Sequence, residues 1–319
     1  MKNRQIGGYG LVLIAACLWA TMGLFYKSLM GTYTLSPLSI IFWRVMLAAA
    51  ALFIVLGIKQ REALHIARRD WGFFVAFGLL GIATFYSIYI YAIKLTGMGV
   101  AAVLMYTAPA WVTVLSACIF NEPLTARKGT ALLLAVAGCA LVGGIYDLGT
   151  LQVNLLGILA GLGAGLTYGL YILFCKSAAQ RGYSAWGALA YALGIGTLFL
   201  LPLQAPSELI RAVTTPGIFL WLLILGMIPT LGGGIAFNAG LQKVPASNAS
   251  IIATLEPAIA TLLGWAFMGE QITLPQALGT GLILGAVLIL QVSAAKTTEA
   301  QPKQTAHLKG KEYPLCPQE

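Results

Sequence analysis

The chain has 319 residues, of which 59% are hydrophobic and 9% are charged, and its mean hydropathy is +0.86. Soluble domains carry about 25% charged residues, so this composition excludes a soluble globular protein and predicts an all-α integral membrane protein. The net charge of +9 does not indicate nucleic-acid binding, because the basic residues lie in short loops and at the termini.

Ten apolar runs follow one another along the chain, each close to the roughly 20 residues that a membrane-spanning helix needs. Most of the connections are short, and the longer ones cover residues 58–70 and 204–216. We therefore predict ten transmembrane helices. Their approximate bounds are 8–27, 36–57, 71–93, 98–119, 127–146, 154–175, 184–203, 217–239, 246–268 and 274–294.

The basic residues are distributed unequally between the two sides of the predicted bundle. With a cytoplasmic N-terminus, fifteen lysines and arginines face the cytoplasm and only Lys27, Lys94 and Arg211 lie near the other side. Cytoplasmic loops of membrane proteins carry an excess of such residues. We expect a multi-pass protein of the cytoplasmic (inner) membrane with both termini in the cytoplasm.

The sequence divides into two related halves. Pro109 and Pro257 are 148 residues apart, and so are Glu122 and Glu270, while the segment from Trp19 aligns with that from Tyr168 at a spacing of 149. Each half contains five spans, and an odd number inverts the second half in the membrane, as in many secondary transporters. The predicted units are a first repeat at 1–146, a second repeat at 147–295 and a disordered polar tail at 296–319.

Glu256 is the only acidic residue far from the end of a span, and the aligned residue in the first half is Ala108. It lies about 15 Å into a hydrocarbon core that is about 30 Å thick. Because burial favours the protonated carboxyl group, Glu256 is a candidate proton site or a partner for a cationic substrate group. The alternative is a structural carboxylate that is hydrogen-bonded to nearby hydroxyl or amide groups.

Arg44 is the only basic residue well inside a span, about 10 Å from the outer end of the second run. Its guanidinium group could pair with Glu256 or bind a substrate carboxylate in a bidentate manner. The alternative is that its long side chain reaches out to the interface.

Aromatic residues gather at comparable depths in several spans. An aromatic pocket with few polar groups suits amphipathic organic solutes, although packing and interfacial belts also explain single tyrosines. With Arg44 and Glu256, the candidate substrate-binding residues are Trp19, Tyr86, Tyr89, Tyr106, Thr107, Tyr168, Tyr171 and Tyr191.

Proline and glycine residues interrupt three of the predicted spans. Pro109 and Pro257 each remove a backbone donor at membrane depth, which bends or opens a helix. Gly232, Gly233 and Gly234 make the eighth span a poor helix. We interpret these five residues as hinges, with close helix contact as the alternative at the glycines.

Several motifs resemble those of one transporter superfamily. They are Trp19-Ala20, Trp43-Arg44, the stretch from Met105 to Trp111, the stretch from Val244 to Ser247, Leu255-Glu256-Pro257 and Gly269-Glu270. On these residues the chain resembles the drug/metabolite transporter (DMT) superfamily in its ten-helix EamA form, from residue 8 to about 294. The resemblance implies ten helices with both ends inside, a central cavity and alternating access for small metabolites.

The predicted function is that of a secondary carrier for small organic metabolites, such as amino acids or related amphipathic compounds, with export favoured by the resemblance. An uptake permease and an uncoupled facilitator are the alternatives, and a channel or an intramembrane enzyme is remote. No nucleotide-binding loop, metal-ligand spacing or nucleophile–base pattern is visible, so we expect no cofactor and no metal. The expected partners are a small substrate, membrane lipid and possible coupling protons, in a monomer or homodimer that binds no nucleic acid.

Overall fold

The computed structural model describes the backbone of residues 2–144, 146 and 154–300, and the side chains of residues 7–144, 146 and 154–290. All regular elements in these ranges are helical. The α-helices are α1 (Lys2–Ala20), α2 (Met22–Gly31), α3 (Pro37–Lys59), α4 (Trp71–Gly78), α5 (Phe85–Met105), α6 (Ala108–Phe120), α7 (Ala126–Val142), α8 (Leu155–Gln180), α9 (Ala185–Leu200), α10 (Pro206–Thr214), α11 (Pro216–Leu225), α12 (Gly233–Leu241), α13 (Ala246–Ala253), α14 (Leu255–Met268) and α15 (Leu274–Ala300).

Short segments of other helix types join some of these elements. The chain forms π-helix at Leu79–Thr84, between α4 and α5, and at Gly226–Gly232, between α11 and α12. It forms 3-10 helix at Arg61–Leu64, Arg68–Asp70 and Leu201–Leu203. The two π-helical segments lie at corresponding positions of the two aligned halves, and single π turns inside helices are frequent at functional sites.

Polar side chains fix where several helices begin. The side chains of Ser36, Thr125, Asn154 and Ser184 each accept a hydrogen bond from a backbone amide in the first turn of α3, α7, α8 and α9, respectively. Such caps satisfy amides that have no partner inside the helix. The sequence therefore marks helix starts with small polar residues even where the flanking runs are uniformly apolar.

The main helix pairs join the first half of the chain to the second. Helix α1 packs on α12, α3 on α9, α5 on α8, and α7 on α15. The contact between α5 and α8 depends on small residues: a Cβ atom at Gly165 would lie 2.8 Å from the carbonyl oxygen of Leu104. Small residues at helix interfaces allow such close backbone approach, and here they are covered within the chain itself.

Length and composition identify seven helical stretches in the described ranges that could cross a membrane. They are Gly7–Gly31, Pro37–Lys59, Arg68–Met105, Leu155–Gln180, Ala185–Leu203, Pro216–Leu241 and Ala246–Met268. Ala108–Phe120 and Leu274–Leu290 are shorter apolar helices. The stretch Arg68–Met105 extends into two of the predicted spans, because α5 continues across a bend at Gly97, where φ is +81°.

The structure also differs from the sequence prediction in the connections. The predicted loop at 204–216 contains helix α10, which is amphipathic, with Ala212 buried and Ile210 and Val213 exposed. Helix α15 continues to Ala300, which is inside the segment predicted to be a disordered tail. The rest of that predicted tail, residues 301–319, lies outside the described residues.

Candidate functional site

A cavity of about 300 Å³ is lined by residues of both halves of the chain. Its wall combines aromatic side chains with one guanidinium and one carboxyl group. The lining includes Trp19, Met22, Tyr26, Met30, Pro37, Arg44, Gly81, Phe85, Tyr86, Tyr89, Met98, Met105, Tyr106, Tyr168, Tyr171, Leu189, Thr230, Gly234 and Glu256. Eight of the ten residues predicted to bind substrate belong to this set.

Arg44 is the basic group of the cavity and is only 3% exposed. Its Nη1 atom donates a hydrogen bond to Thr230 Oγ1 at 3.1 Å and lies 3.5 Å from the Met22 sulfur. The guanidinium carbon lies 4.8 Å from the centre of the Tyr86 ring, a cation–π contact. Its Nε atom has no hydrogen-bond partner among the described residues. Arg44 is therefore fixed in orientation while part of its donor capacity stays unused.

Thr230 is held by the π-helical segment Gly226–Gly232. Its hydroxyl group donates to the carbonyl oxygen of Leu225 at 2.9 Å, so its lone pairs can accept from Arg44. The aligned π-helical segment, Leu79–Thr84, contributes Gly81 to the cavity wall. Both irregular segments thus border the cavity. One holds Thr230, the hydrogen-bond partner of Arg44, and the other contributes Gly81 to the wall.

Glu256 is the acidic group of the cavity and lies in the first turn of α14. A helix N-terminus carries partial positive charge, which favours a carboxylate there. No hydrogen bond or ion pair within the described part of the chain involves its carboxyl oxygens, and the ion pairs found there do not join it to Arg44. The carboxyl group therefore faces the cavity without a fixed protein partner.

Aromatic rings form a continuous wall around these two groups. The ring of Phe85 stacks on that of Tyr168, with centroids 5.3 Å apart, and lies 4.6 Å from that of Tyr86. Tyr168 stacks in turn on Tyr171 at 6.3 Å, and Trp19 packs on Phe237 at 5.0 Å. Rings in such arrangements pack rigidly and present apolar faces. The cavity thus joins two charged groups to a large apolar surface.

Two predicted binding residues lie away from the cavity. The Tyr191 hydroxyl donates to the Leu64 carbonyl oxygen at 2.7 Å, and its ring packs edge-on against Trp71. Thr107 donates to the Leu104 carbonyl oxygen at 2.6 Å and sits at the close contact between α6 and Gly165. Both side chains are thus engaged in packing and hydrogen bonds to backbone carbonyl groups, and neither belongs to the cavity lining.

Two of the predicted hinge residues, Pro109 and Pro257, follow short interruptions between consecutive helices at corresponding positions of the two halves. Tyr106 follows the last residue of α5 and has a ψ angle of 8°, and Thr254 follows the last residue of α13 and has a ψ angle of −3°. Pro109 and Pro257 lie in the first turn of the helix that follows each interruption. At the glycines, a Cβ atom at Gly233 would lie 2.6 Å from the Trp19 indole nitrogen, and one at Gly234 would lie 2.9 Å from Leu189. Gly233 and Gly234 therefore make close contacts, and Gly234 also lines the cavity.

Some cavity residues were missing from the sequence prediction. Met22, Tyr26 and Met30 follow Trp19 at spacings of three and four residues, and this helical spacing could have placed them on one face with it. Phe85 and Thr230 carried no such signal. Phe85 adjoins the equally aromatic Tyr86, and the position of Thr230 depends on a π-helical segment that periodicity does not reveal.

The described residues form only helices, several of them long enough to cross a membrane, around an amphipathic cavity, which is the architecture of a multi-pass membrane transporter. The EamA-like transporter family matches the chain twice, at residues 6–144 and 155–292, and the protein belongs to this family. The family and its transporter-named relatives indicate transport rather than enzymatic catalysis.

Individual relatives agree over most of the chain. An uncharacterized transporter of Archaeoglobus fulgidus is 31% identical over 283 residues, covering 88% of this chain and 95% of the relative. The uncharacterized transporter YwfM of Bacillus subtilis is 28% identical, covering 91% and 95%. A protein of known crystal structure superposes with a TM-score of 0.74 at 17% identity, covering 91% of this chain and 98% of that one. At this identity the structural similarity concerns the fold alone.

Proposed function

We propose that the protein is a secondary carrier that moves small zwitterionic metabolites, amino acids above all, across the cytoplasmic membrane by alternating access. The observation that carries this proposal is one cavity in which a guanidinium and a carboxyl group are not engaged with each other and are surrounded by aromatic rings. An α-carboxylate would bind Arg44, an α-ammonium group would bind Glu256, and an apolar side chain would contact the aromatic wall.

The proposed topology is ten transmembrane helices in two inverted five-helix repeats. The two family matches support it, as do local features that recur at the same spacing. The π-helical segments at Leu79–Thr84 and Gly226–Gly232 recur in this way. So do the left-handed residues Asn121 and Gly269, which end α6 and α14. In inverted repeats the substrate site lies between the repeats, and residues of both halves line this cavity.

The proposed orientation and energetics depend on charge. The excess of basic residues at one end of the bundle supports cytoplasmic termini. We propose that Glu256 binds a proton and the substrate ammonium group alternately during the cycle, because a carboxyl group without a fixed partner can be neutralised at low cost. Export as the direction of net transport depends on the family resemblance alone.

Reconstitution into proteoliposomes tests the proposal with a panel of labelled amino acids, amines and organic acids. We expect saturable exchange of at least one apolar amino acid. The Arg44→Gln and Glu256→Gln variants should each need roughly tenfold more substrate for half-saturation, since each loses a charge-assisted hydrogen bond. Tyr191→Phe, which alters a ring outside the cavity, is the matched control. Unsaturable flux, or equal half-saturation in all four proteins, would refute the proposed carrier site.

A further inference from the structure

The carboxylates at the two ends of the bundle differ in their partners and in their exposure. We name the end that holds Glu122, between α6 and α7, the Glu122 face, and the end that holds Glu270, between α14 and α15, the Glu270 face. The cavity extends to the Glu270 face, where its lining residues Met30 and Met98 are exposed. The lining residues include none from the loops at the Glu122 face. The conformation is therefore open at one face and sealed at the other.

Glu122 joins the two halves at the sealed face. Its carboxylate accepts hydrogen bonds from the backbone amides of Ala246 at 2.7 Å and Ser247 at 3.2 Å, and from the Ser247 hydroxyl group. These groups form the N-terminus of α13, which attracts negative charge. Lys128 lies 3.5 Å from the same carboxylate, and both side chains are only 10% exposed. We call this arrangement the Glu122 clasp.

The surroundings of Glu122 hold it in the ionised state. Burial would by itself raise the pKa of this carboxyl group, but the Ser247 hydroxyl, the two amides and the charge of Lys128 outweigh burial, and the net pKa is lowered. Lys176 fixes the start of α13 within the second half, since its Nζ atom donates to the carbonyl oxygens of Leu241 at 2.8 Å and Val244 at 2.7 Å.

Glu270 occupies the corresponding position in the second half, with the same local geometry. The preceding residues Asn121 and Gly269 both have left-handed backbone angles. The amide of Glu122 donates to Ser116 and that of Glu270 donates to Gly264, at 3.3 Å in both cases. Within the described part of the chain, the carboxylate of Glu270 nevertheless has a single polar partner, Lys27, at 3.1 Å, and the Glu270 and Lys27 side chains are 56% and 59% exposed. Exposed pairs of this kind contribute little to stability.

The repeat spacing identifies where Glu270 would bind in the opposite conformation. Ala246 and Ser247, which Glu122 contacts, correspond to Met98 and Gly99, the first residues after the bend at Gly97. We propose that Glu122 and Glu270 are alternating clasps. Glu122 holds α13 while the cavity opens to the Glu270 face, and Glu270 holds the segment that begins at Met98 while the cavity opens to the Glu122 face. This proposal builds on alternating access and gives it a switch at each end.

Spin-label distances test the exchange without any substrate, so they do not depend on the proposed zwitterion site. In a full-length chain without native cysteines, Leu124→Cys with Gln242→Cys reports the Glu122 face. Lys94→Cys with Gln271→Cys reports the Glu270 face. We expect Glu122→Gln to increase the fraction of molecules with a long Leu124–Gln242 separation roughly tenfold, with a matching short Lys94–Gln271 separation. Adding Glu270→Gln should return that fraction toward the wild-type value.

Glu62→Gln, at an exposed carboxylate of the same face, is the control and should leave both distances unchanged. If Glu122→Gln does not accumulate in the membrane, Ser247→Ala removes one donor of the clasp and takes its place. The proposal is wrong if Glu122→Gln changes neither distance, or if the Glu122 face opens while the Glu270 face stays open. It is also wrong if the double variant stays as open at the Glu122 face as Glu122→Gln alone. Normal substrate exchange by a Glu122→Gln variant with unchanged distances would refute the clasp proposal and would leave the carrier proposal intact.

Discussion

The helix interruptions at Tyr106 and Thr254 have similar backbone conformations, but the side chains that follow them differ in charge. Both precede a proline, and in the helix that follows each, a threonine donates to the proline carbonyl oxygen, Thr113 to Pro109 at 2.7 Å and Thr261 to Pro257 at 2.9 Å. The residue before the proline is Ala108 in one half, fully buried, and Glu256 in the other, lining the cavity. The repeat thus supplies the same scaffold twice, and one residue difference supplies the charge.

The largest expected effect comes from placing a carboxyl group at Ala108, which is the position in the first half that corresponds to Glu256. Ala108→Glu would place a carboxyl group where no space or partner exists, at a cost of at least about 3 kcal/mol. Glu256→Ala should cost less than about 1 kcal/mol, because no protein hydrogen bond is lost. Thermal unfolding in detergent and abundance in the membrane measure both. Equal destabilisation by the two substitutions would contradict the different surroundings assigned to these positions.

The second effect concerns the proton. Glu256→Gln keeps the volume of the side chain and removes its ability to ionise. The Gln oxygen still accepts a hydrogen bond from an ammonium group, so exchange should continue at roughly tenfold lower affinity. Accumulation against a gradient should be lost. Labelled substrate in proteoliposomes with an imposed pH gradient measures both, and full proton-driven accumulation by the variant would end the proton-site proposal.

A smaller effect is expected at the prolines themselves. Proline is well tolerated in the first turn of a helix, so Pro109→Ala and Pro257→Ala should each change stability by less than about 1 kcal/mol. If the interruptions are hinges, both variants should slow exchange severalfold without changing the half-saturation concentration. Initial exchange rates over a range of substrate concentrations distinguish this from a loss of binding. A changed half-saturation with an unchanged maximal rate would place the prolines in binding and not in motion.

The smallest effect is expected from pH at the Glu122 clasp. Because its pKa is lowered below the ordinary value of 4.5, the stabilisation is complete above that value and is lost only as the pH falls through the lowered pKa. Lys128, Lys176 and Tyr9 are titratable groups that interact electrostatically with Glu122. The Leu124–Gln242 separation should therefore stay constant between about pH 6 and pH 8. A shift of that separation within this interval would show that another group controls the seal.

The sequence predicted a membrane protein of apolar helices, and it singled out Arg44 and Glu256, the two charged residues that line the cavity. These features are recognisable because the length of an apolar run, and a single charge within one, can be read directly from the sequence of a membrane protein. The count of ten spans and the inverted repeat remain predictions. The sequence did not separate Tyr171, which lines the cavity, from Tyr191, which packs beneath Leu64. Helices that are apolar all round have no polar face to reveal their orientation.

The clasp at Glu122 was equally hidden. The repeat spacing paired Glu122 with Glu270, but no local pattern distinguishes a carboxylate that holds a distant helix from one that lies exposed. The partners of Glu122, Ala246 and Ser247, are more than 120 residues away in the sequence. Only the packing of α13 against α6 brings them together.

The central claim is that Arg44 and Glu256 bind the two ends of a zwitterion, and competition by three related compounds tests it most directly. Phenylalanine has both charges, phenylalaninamide lacks the carboxylate, and 3-phenylpropionate lacks the ammonium group. The wild-type protein should prefer phenylalanine to either analogue by roughly tenfold or more. Arg44→Gln should lose the preference over the amide, and Glu256→Gln the preference over 3-phenylpropionate. Unchanged preferences in both variants would contradict the account.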